Sequence, residues 1–543
     1  MKPVEQVWPP DVAAEYRAKG YWRGETFPAL LRDRAARHPE RLAVSGGGAT
    51  WSYADLARRA ERFAAGLLAR GLVPGDRVLV QMSNVPEYLS AVFGIFRAGM
   101  LPVFALPAHR RIELDHLLRK SEAVAILTER RIAGYDHAAL ASALAGEIAG
   151  LRHVLICEPG QGGEGLAGLE AAPEERELPG DPDPQAVAFL QISGGSTGLS
   201  KLIPRTHDDY IYSVRESARI SGLDGGSVYL AVLPISHNFT MSSPGVLGAL
   251  YAGGRVALCP DPRPETGFRR IAEEGVTITA LVPPLALKWL DAAERLRPDL
   301  PTLEVLQVGG AKFLPETARR VRPVLGCTLQ QVFGMAEGLV NYTRLDDEEE
   351  IIVTTQGRPI SPDDEVLILD DDGTPVAPGE PGHLLTRGPY TIRAYHDEPG
   401  ANARSFTEDG FYRTGDIVRR LPSGHLEVRG RATDHINRAG EKISAEEVED
   451  HLLAHPQVLD AVVVSVPDPH LGEKSCAFIL PRDGTAPAPA ELRRFIRGRD
   501  IAAFKVPDEI RLVTSFGTTA VGKISRRALR AALRKDHMEE GAA

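Results

Sequence analysis

A chain of 543 residues is too long for one ordinary domain and fits about two to four. Its 43% hydrophobic and 25% charged residues describe a globular protein, and a formal net charge of −10 argues against a nucleic-acid-binding surface. No run approaches the ~18 consecutive apolar residues of a membrane span, and the N-terminus lacks an apolar signal core, so no membrane partner and a cytoplasmic location are expected.

In chain order, apolar periodicity predicts helices over 27–38 and 53–70, a strand over 77–82, a helix over 86–98 and a strand over 101–104. This alternation predicts a largely parallel sheet covered by helices. Residues 158–184, rich in Gly, Pro and Glu, read as a solvated connection. The apolar run 186–192 reads as a buried strand, and strands resume at 228–233, 255–258, 278–282 and 305–308. Between about 350 and 430, short strands among Asp, Gly and Pro turns predict a β-rich subdomain. A helix over 445–455, strands over 460–466 and 475–480, and a helix over 489–499 then form a further unit. Cys157, Cys259, Cys327 and Cys476 are far apart and read as buried thiols, not as a zinc site or disulfide framework.

Five segments carry more glycine and polar chemistry than packing needs. Ser193-Gly194-Gly195-Ser196-Thr197-Gly198, closing on Lys201, follows a strand. Its glycines permit close backbone approach, its hydroxyls and amides can donate to phosphate oxygens, and Lys201 adds positive charge. The spacing is not that of a Walker A loop. Gly309-Gly310-Ala311 ends a strand, where a flat ring can lie against backbone. Glu337 lies between Ala336 and Gly338 and can hold Mg²⁺ beside phosphates. Asp416 follows a glycine and suits the hydroxyls of a ribose, with Arg431 after another glycine. Lys523 follows Gly522 near the C-terminus.

The order, spacing and wording of these segments resemble the adenylate-forming superfamily from about Thr26 to about Leu533. The stretches 193–209, 237–239 with 242–245, and 330–347 look most like the stand-alone aryl acid–AMP ligases of siderophore synthesis. The resemblance implies an α/β adenylate-forming fold. Residues 1–432 would form a large layered domain with a β-rich subdomain, and 433–543 a small mobile α+β domain. It implies two steps: an aryl acid attacks Mg·ATP to give aryl-AMP and pyrophosphate, then the acyl group passes to the phosphopantetheine thiol of an aryl carrier protein. Free coenzyme A is the alternative acceptor, and a non-catalytic ATP-binding scaffold the alternative of another class.

By the same resemblance, Lys523, His237 and Glu337 are catalytic, with Glu337 the metal ligand. Ser193, Gly194, Gly195, Ser196, Thr197, Gly198 and Lys201 would hold the leaving pyrophosphate. Gly310, Ala311, Val332 and Phe333 would frame adenine, and Asp416 and Arg431 would fix the ribose. His237, Asn238, Phe239, Ser243, Gly309, Ala336 and Val340 would line the aryl pocket. Ser243 would read the 3-hydroxyl of 2,3-dihydroxybenzoate, making that acid preferred over salicylate; a hydroxypicolinate is a further possibility because 239–241 departs from the familiar motif. Three other departures are Thr433 at the hinge, Ala439 in place of a glycine, and Gly517 in place of a proline.

Overall fold

The computed structural model describes residues 4, 8–160, 165–172, 177–193, 200–431, 435–438, 441–468, 471–499, 505–517, 524–526 and 528–533, with residues 431, 435, 437, 441, 442 and 472 described in backbone only. The predicted alternation is realised as two mostly parallel sheets. The nine-stranded sheet runs, edge to edge, Arg358–Pro359, Gly338–Tyr342, Thr328–Met335, Val305–Gly309, Ile278–Leu281, Val228–Ala231, Arg255–Leu258, Leu42–Gly46 and Ala49–Ser52. The six-stranded sheet runs Leu202–Thr206, Val187–Ile192, Leu101–Phe104, Arg77–Gln81, Ala125–Glu129 and His153–Cys157.

Helices fill the space between the sheets and cover their outer faces. The inner layer includes Phe27–Arg37, Tyr53–Ala69, Pro86–Arg97 and His207–Ile220. Helix Tyr53–Ala69 forms because Ser52 and Asp55 make a reciprocal capping box and because Leu56, Ala60, Phe63 and Leu67 recur on one face. Leu56, Phe63 and Leu67 are fully buried, each stabilising the layer by about 1.5–3 kcal/mol. Helices Pro264–Glu274 and Pro283–Leu296 cover the outer face of the larger sheet, and Arg111–Ser121 and His137–Glu147 that of the smaller.

The β-rich subdomain is a four-stranded antiparallel sheet, Glu365–Leu369, Gly382–Arg387, Tyr412–Arg420 and Leu426–Arg431. A separate five-stranded sheet forms from His435–Arg438 onward, with helices Ala445–Leu453 and Pro489–Arg497 packed into its own core. Polar contacts tie this unit to the layered part: Arg482 to Asp291 at 3.1 Å, Arg499 to Glu316 at 3.2 Å and Lys312 to Glu446 at 3.9 Å.

One expectation is corrected. The connection over 158–184 is not simply solvated: Leu166 is buried, and Ala167–Leu169 forms a 3-10 turn against helix Tyr53–Ala69. Gly66 of that helix lets the backbone come close, since a Cβ there would lie 1.8 Å from the Leu169 carbonyl oxygen. The four cysteines are buried and unbridged, as composition predicts.

Candidate active site

The glycine-rich segment joins two antiparallel strands, Val187–Ile192 and Leu202–Thr206. Its ends are cross-bonded. The Ser193 amide donates to the Lys201 carbonyl at 3.0 Å, and the Lys201 amide donates to Ser193 Oγ at 2.9 Å. Gly194, Gly195, Ser196, Thr197 and Gly198 lie outside the described residues, as do Thr433, Ala439 and Lys523. What flanks Lys523 belongs to the smaller unit: the Ser525 amide donates to the Gly517 carbonyl at 2.9 Å, and the Arg526 guanidinium pairs with Glu449.

After the second strand the sequence turns structural. Thr206 caps helix His207–Ile220 and forms a capping box with Asp209. Arg205, fully buried, donates to Asp209 at 2.8 Å, to the Ala336 carbonyl at 2.9 Å and to the Tyr390 carbonyl at 3.0 Å. The backbone beside Glu337 is thereby anchored to the strand that follows the glycine loop.

The parallel strand ends supply the next wall. Gly309 ends Val305–Gly309 and pairs in register with Val332. A Cβ there would fall 2.8 Å from the Val332 carbonyl oxygen and 2.9 Å from Phe239 Cζ, so only glycine fits without displacing that ring. Gly310 has φ +85°, a conformation that side chains disfavour, and leads into exposed Ala311. Val332 is buried and Phe333 half-buried.

Strands Thr328–Met335 and Gly338–Tyr342 form a hairpin whose turn is Ala336-Glu337, with Val340 opposite Gly334. Glu337 is buried at 7% exposure. Its Oε1 accepts from the Tyr395 hydroxyl at 2.9 Å, and Tyr395 shares a 3.1 Å hydrogen bond with the Tyr412 hydroxyl. Burial, then the nearby Glu337 charge, holds the Tyr395 hydroxyl well above the ordinary tyrosine range. Lys201 Nζ stands 5.1 Å from the Tyr395 ring centroid.

Tyr412 also begins the strand that carries Asp416. Asp416 is buried, its amide donates to Thr414 Oγ1 at 3.0 Å, and its backbone pairs with that of Arg431. Nearby Glu446 of the smaller unit has a carboxyl pushed up to about 7, chiefly by burial. Lys312 and Arg526 oppose that shift, while Glu449 and Asp416 add to it.

The segment 237–243 is a short helix, Asn238–Ser242, capped by His237, whose Nδ1 accepts from the Phe239 amide at 3.3 Å. The Tyr210 hydroxyl donates to Asn238 Oδ1 at 2.8 Å, which directs the amide's acceptor toward the helix layer and reserves its NH₂ for another acceptor. Phe239 and Ser243 are buried, and Ser243 stands beside the Tyr342 hydroxyl. Thus the structure brings the 237–243 helix against Gly309 and the strand ending at Tyr342, while Tyr395 links Glu337, at the turn of that strand's hairpin, to Lys201 and to the strand that carries Asp416. Sequence reasoning missed Tyr395, Tyr210 and Arg205, because an isolated Tyr or Arg carries no local signal.

Mg²⁺ fits the donor set at the hairpin turn. Among the described residues no group of three or more metal-binding side chains exists. Glu337 is a single buried carboxylate with one oxygen held by Tyr395. Mg²⁺ commonly takes one or two carboxylates and completes its shell with substrate phosphates and water.

Open, largely parallel sheets bind ligands outside the C-terminal ends of their strands, and this arrangement follows the adenylate-forming ground plan. The chain belongs to the AMP-binding enzyme family, matching its main domain over residues 31–396 and its C-terminal domain over 447–523. A 2,3-dihydroxybenzoate-AMP ligase of Bacillus subtilis (strain 168) is 56% identical over 526 residues, covering 97% of each chain. A salicyl-AMP ligase / salicyl-S-ArCP synthetase of Mycobacterium tuberculosis (strain ATCC 25618 / H37Rv) is 45% identical, covering 96% of this chain and 93% of that one. The apo structure of MbtA from Mycobacterium smegmatis superposes with a TM-score of 0.72 at 45% identity, covering 96% of this chain and 98% of that one. Enzymes of this class use ATP. No helix of the described residues is long and apolar enough to cross a membrane.

Proposed function

We propose that the protein activates an aryl acid, 2,3-dihydroxybenzoate in preference to salicylate, with ATP, and passes the acyl group to the phosphopantetheine thiol of an aryl carrier protein. The observation that carries the reading is full-length similarity to a 2,3-dihydroxybenzoate-AMP ligase at 56% identity. Residues 1–432 would hold both pockets, and 433–543 would bring Lys523 to them.

The chemistry asks the protein to align a carboxylate with the α-phosphate and to offset the growing negative charge. Lys523 would bridge the carboxylate and α-phosphate, and the 193–201 loop would hold the departing pyrophosphate. Asp416 and Arg431 would position the ribose, while Gly310, Ala311, Val332 and Phe333 would frame adenine. Glu337 would hold Mg²⁺, which when bound supplies charge neutralisation at the phosphates. Asn238, its acceptor already engaged by Tyr210, would donate its NH₂ to the acid's carboxylate or ortho hydroxyl. His237, Phe239, Gly309, Ala336 and Val340 would complete the aryl pocket.

ATP–pyrophosphate exchange across benzoates and hydroxypicolinates tests the reading. Exchange with 2,3-dihydroxybenzoate, followed by acylation of holo carrier protein faster than of free coenzyme A, is the expected result. Exchange with no aryl acid overturns it, and faster acylation of coenzyme A replaces the carrier with coenzyme A.

Two variants test individual roles. Ser243→Cys should shift kcat/KM toward salicylate by about tenfold to a hundredfold, because the 3-hydroxyl loses a partner and about 1–3 kcal/mol. An unchanged ratio, or a parent that already prefers salicylate, removes Ser243 from that role. Asp416→Ala should raise the KM for ATP about tenfold or more with a smaller effect on kcat, since ribose contacts exist before the transition state. An unaltered KM in exchange kinetics removes the ribose assignment.

A further inference from the structure

Glu337 and Lys201 come from motifs separated by more than a hundred residues, and a single side chain that belongs to neither stands between them. Tyr395 donates its hydroxyl hydrogen to Glu337 Oε1 at 2.9 Å. Its ring faces Lys201 Nζ at 5.1 Å. Its oxygen meets the Tyr412 hydroxyl at 3.1 Å, on the strand that leads to Asp416. Tyr395 is itself fixed: it is 4% exposed, packs edge-on against Phe406 at 5.6 Å, and its amide donates to Asn402 Oδ1 at 2.8 Å.

We infer that Tyr395 is a positioning residue that sets the metal-binding carboxylate and the phosphate-loop lysine together. The inference rests on the function proposed above. Donation to Oε1 restricts rotation of the Glu337 carboxylate, leaving Oε2 as the oxygen to face a cation. The ring, electron-rich on its face, restrains the Lys201 ammonium over the same side chain whose hydroxyl holds that carboxylate. Without Tyr395 a flexible Lys201 would be free to pair with Glu337 directly, and each would neutralise the charge the other offers, the ammonium to the phosphates and the carboxylate to the cation.

The test separates hydroxyl from ring. Mn²⁺ serves as probe, being a cation of similar oxygen preference whose unbound fraction is read by electron paramagnetic resonance. For the full-length protein with ATP, Tyr395→Phe should weaken Mn²⁺ binding about tenfold, with the KM for the aryl acid unchanged. Tyr395→Leu should in addition weaken ATP binding measured by calorimetry in the absence of metal. In combination with Glu337→Gln, Tyr395→Phe should cost little further Mn²⁺ affinity, because the hydroxyl acts through that carboxylate. Mn²⁺ affinity within twofold of the parent in Tyr395→Phe, or fully additive losses in the double variant, overturns the inference. A parent that exchanges pyrophosphate with no aryl acid instead overturns the function on which it rests.

Discussion

Lys523→Ala should lower the rate of aryl-AMP formation by about a hundredfold to a thousandfold, the loss that follows removal of a single group poised on developing charge. Transfer of the acyl group from preformed aryl-AMP to the carrier thiol should be nearly unaffected. The two half-reactions differ in what they ask of a cation. In the first, a carboxylate approaches a polyphosphate and charge accumulates between them, where an ammonium is most effective. In the second, the carrier thiol loses its proton and attacks the acyl carbonyl, the acyl–oxygen bond breaks with its electrons going to the AMP phosphate, and no second anion has to be brought up to a polyphosphate. The measurement is pyrophosphate release for the first step and single-turnover carrier acylation for the second. Equal loss in both would mean that the lysine holds the fold or the nucleotide, not the transition state. The segment that follows Lys523 belongs to the smaller unit. Ser525 and Arg526 tie the following segment to Gly517 and Glu449, while Leu529 and Leu533 are buried among Val462, Val464 and Phe478.

Arg205→Ala should destabilise the layered part by about 3–5 kcal/mol, the cost of leaving a buried charge without its partner. Arg205 and Asp209 have side chains only 2% and 0% exposed. Removing the guanidinium strands the Asp209 carboxylate and takes the donors from the Ala336 and Tyr390 carbonyls. Asp209 Oδ2 keeps Trp8 Nε1 at 3.0 Å and the Thr206 hydroxyl and amide at 2.8 and 3.0 Å, but Oδ1 loses its 2.8 Å donor and the carboxylate loses its countercharge. Trp8 therefore reports the change, and urea unfolding followed by tryptophan fluorescence should show a lower midpoint. Replacing both partners, Arg205→Met with Asp209→Leu, should recover only part of the loss, because no charge is then buried but Trp8 Nε1 and the Ala336 and Tyr390 carbonyls still lack their partners. If the single variant unfolds at the parental midpoint, the pair is not structural. The same single variant should reduce pyrophosphate exchange, since the Ala336-Glu337 turn loses its anchor.

Much of the fold is local in origin and was therefore legible. Helix Tyr53–Ala69 carries its own cap, its apolar stripe and its stop, and strand Leu101–Phe104 is an apolar run bounded by turn residues. The glycine pair at 309–310 is legible for a similar reason: a backbone that must approach another closely, or adopt a positive φ, excludes side chains. Glu337 and Asp416 stand out as acids beside glycines, and the surrounding wording resembles a known family closely enough to suggest their partners.

The connection at 158–184 read as solvated because its composition is polar, yet Leu166 is buried beneath it. A single apolar residue in a polar segment has no periodicity, so its burial depends on the surface that another helix presents. The same reason hid Arg205, Tyr210 and Tyr395. Arg205 differs from a surface arginine only in receiving Asp209 from the next helix turn and two carbonyls from segments over a hundred residues away. Tyr395 becomes a bridge only when the 336–337 turn, the strand beginning at Tyr412 and the end of the glycine loop are packed around it. Sequence by itself determined the elements, the family and the acids and glycines of the candidate site, because these depend on near-neighbour spacing. Which oxygen of Glu337 is held, which end of the Asn238 amide is engaged and which cation faces which ring were decided by tertiary packing, because such contacts join residues that no local pattern links.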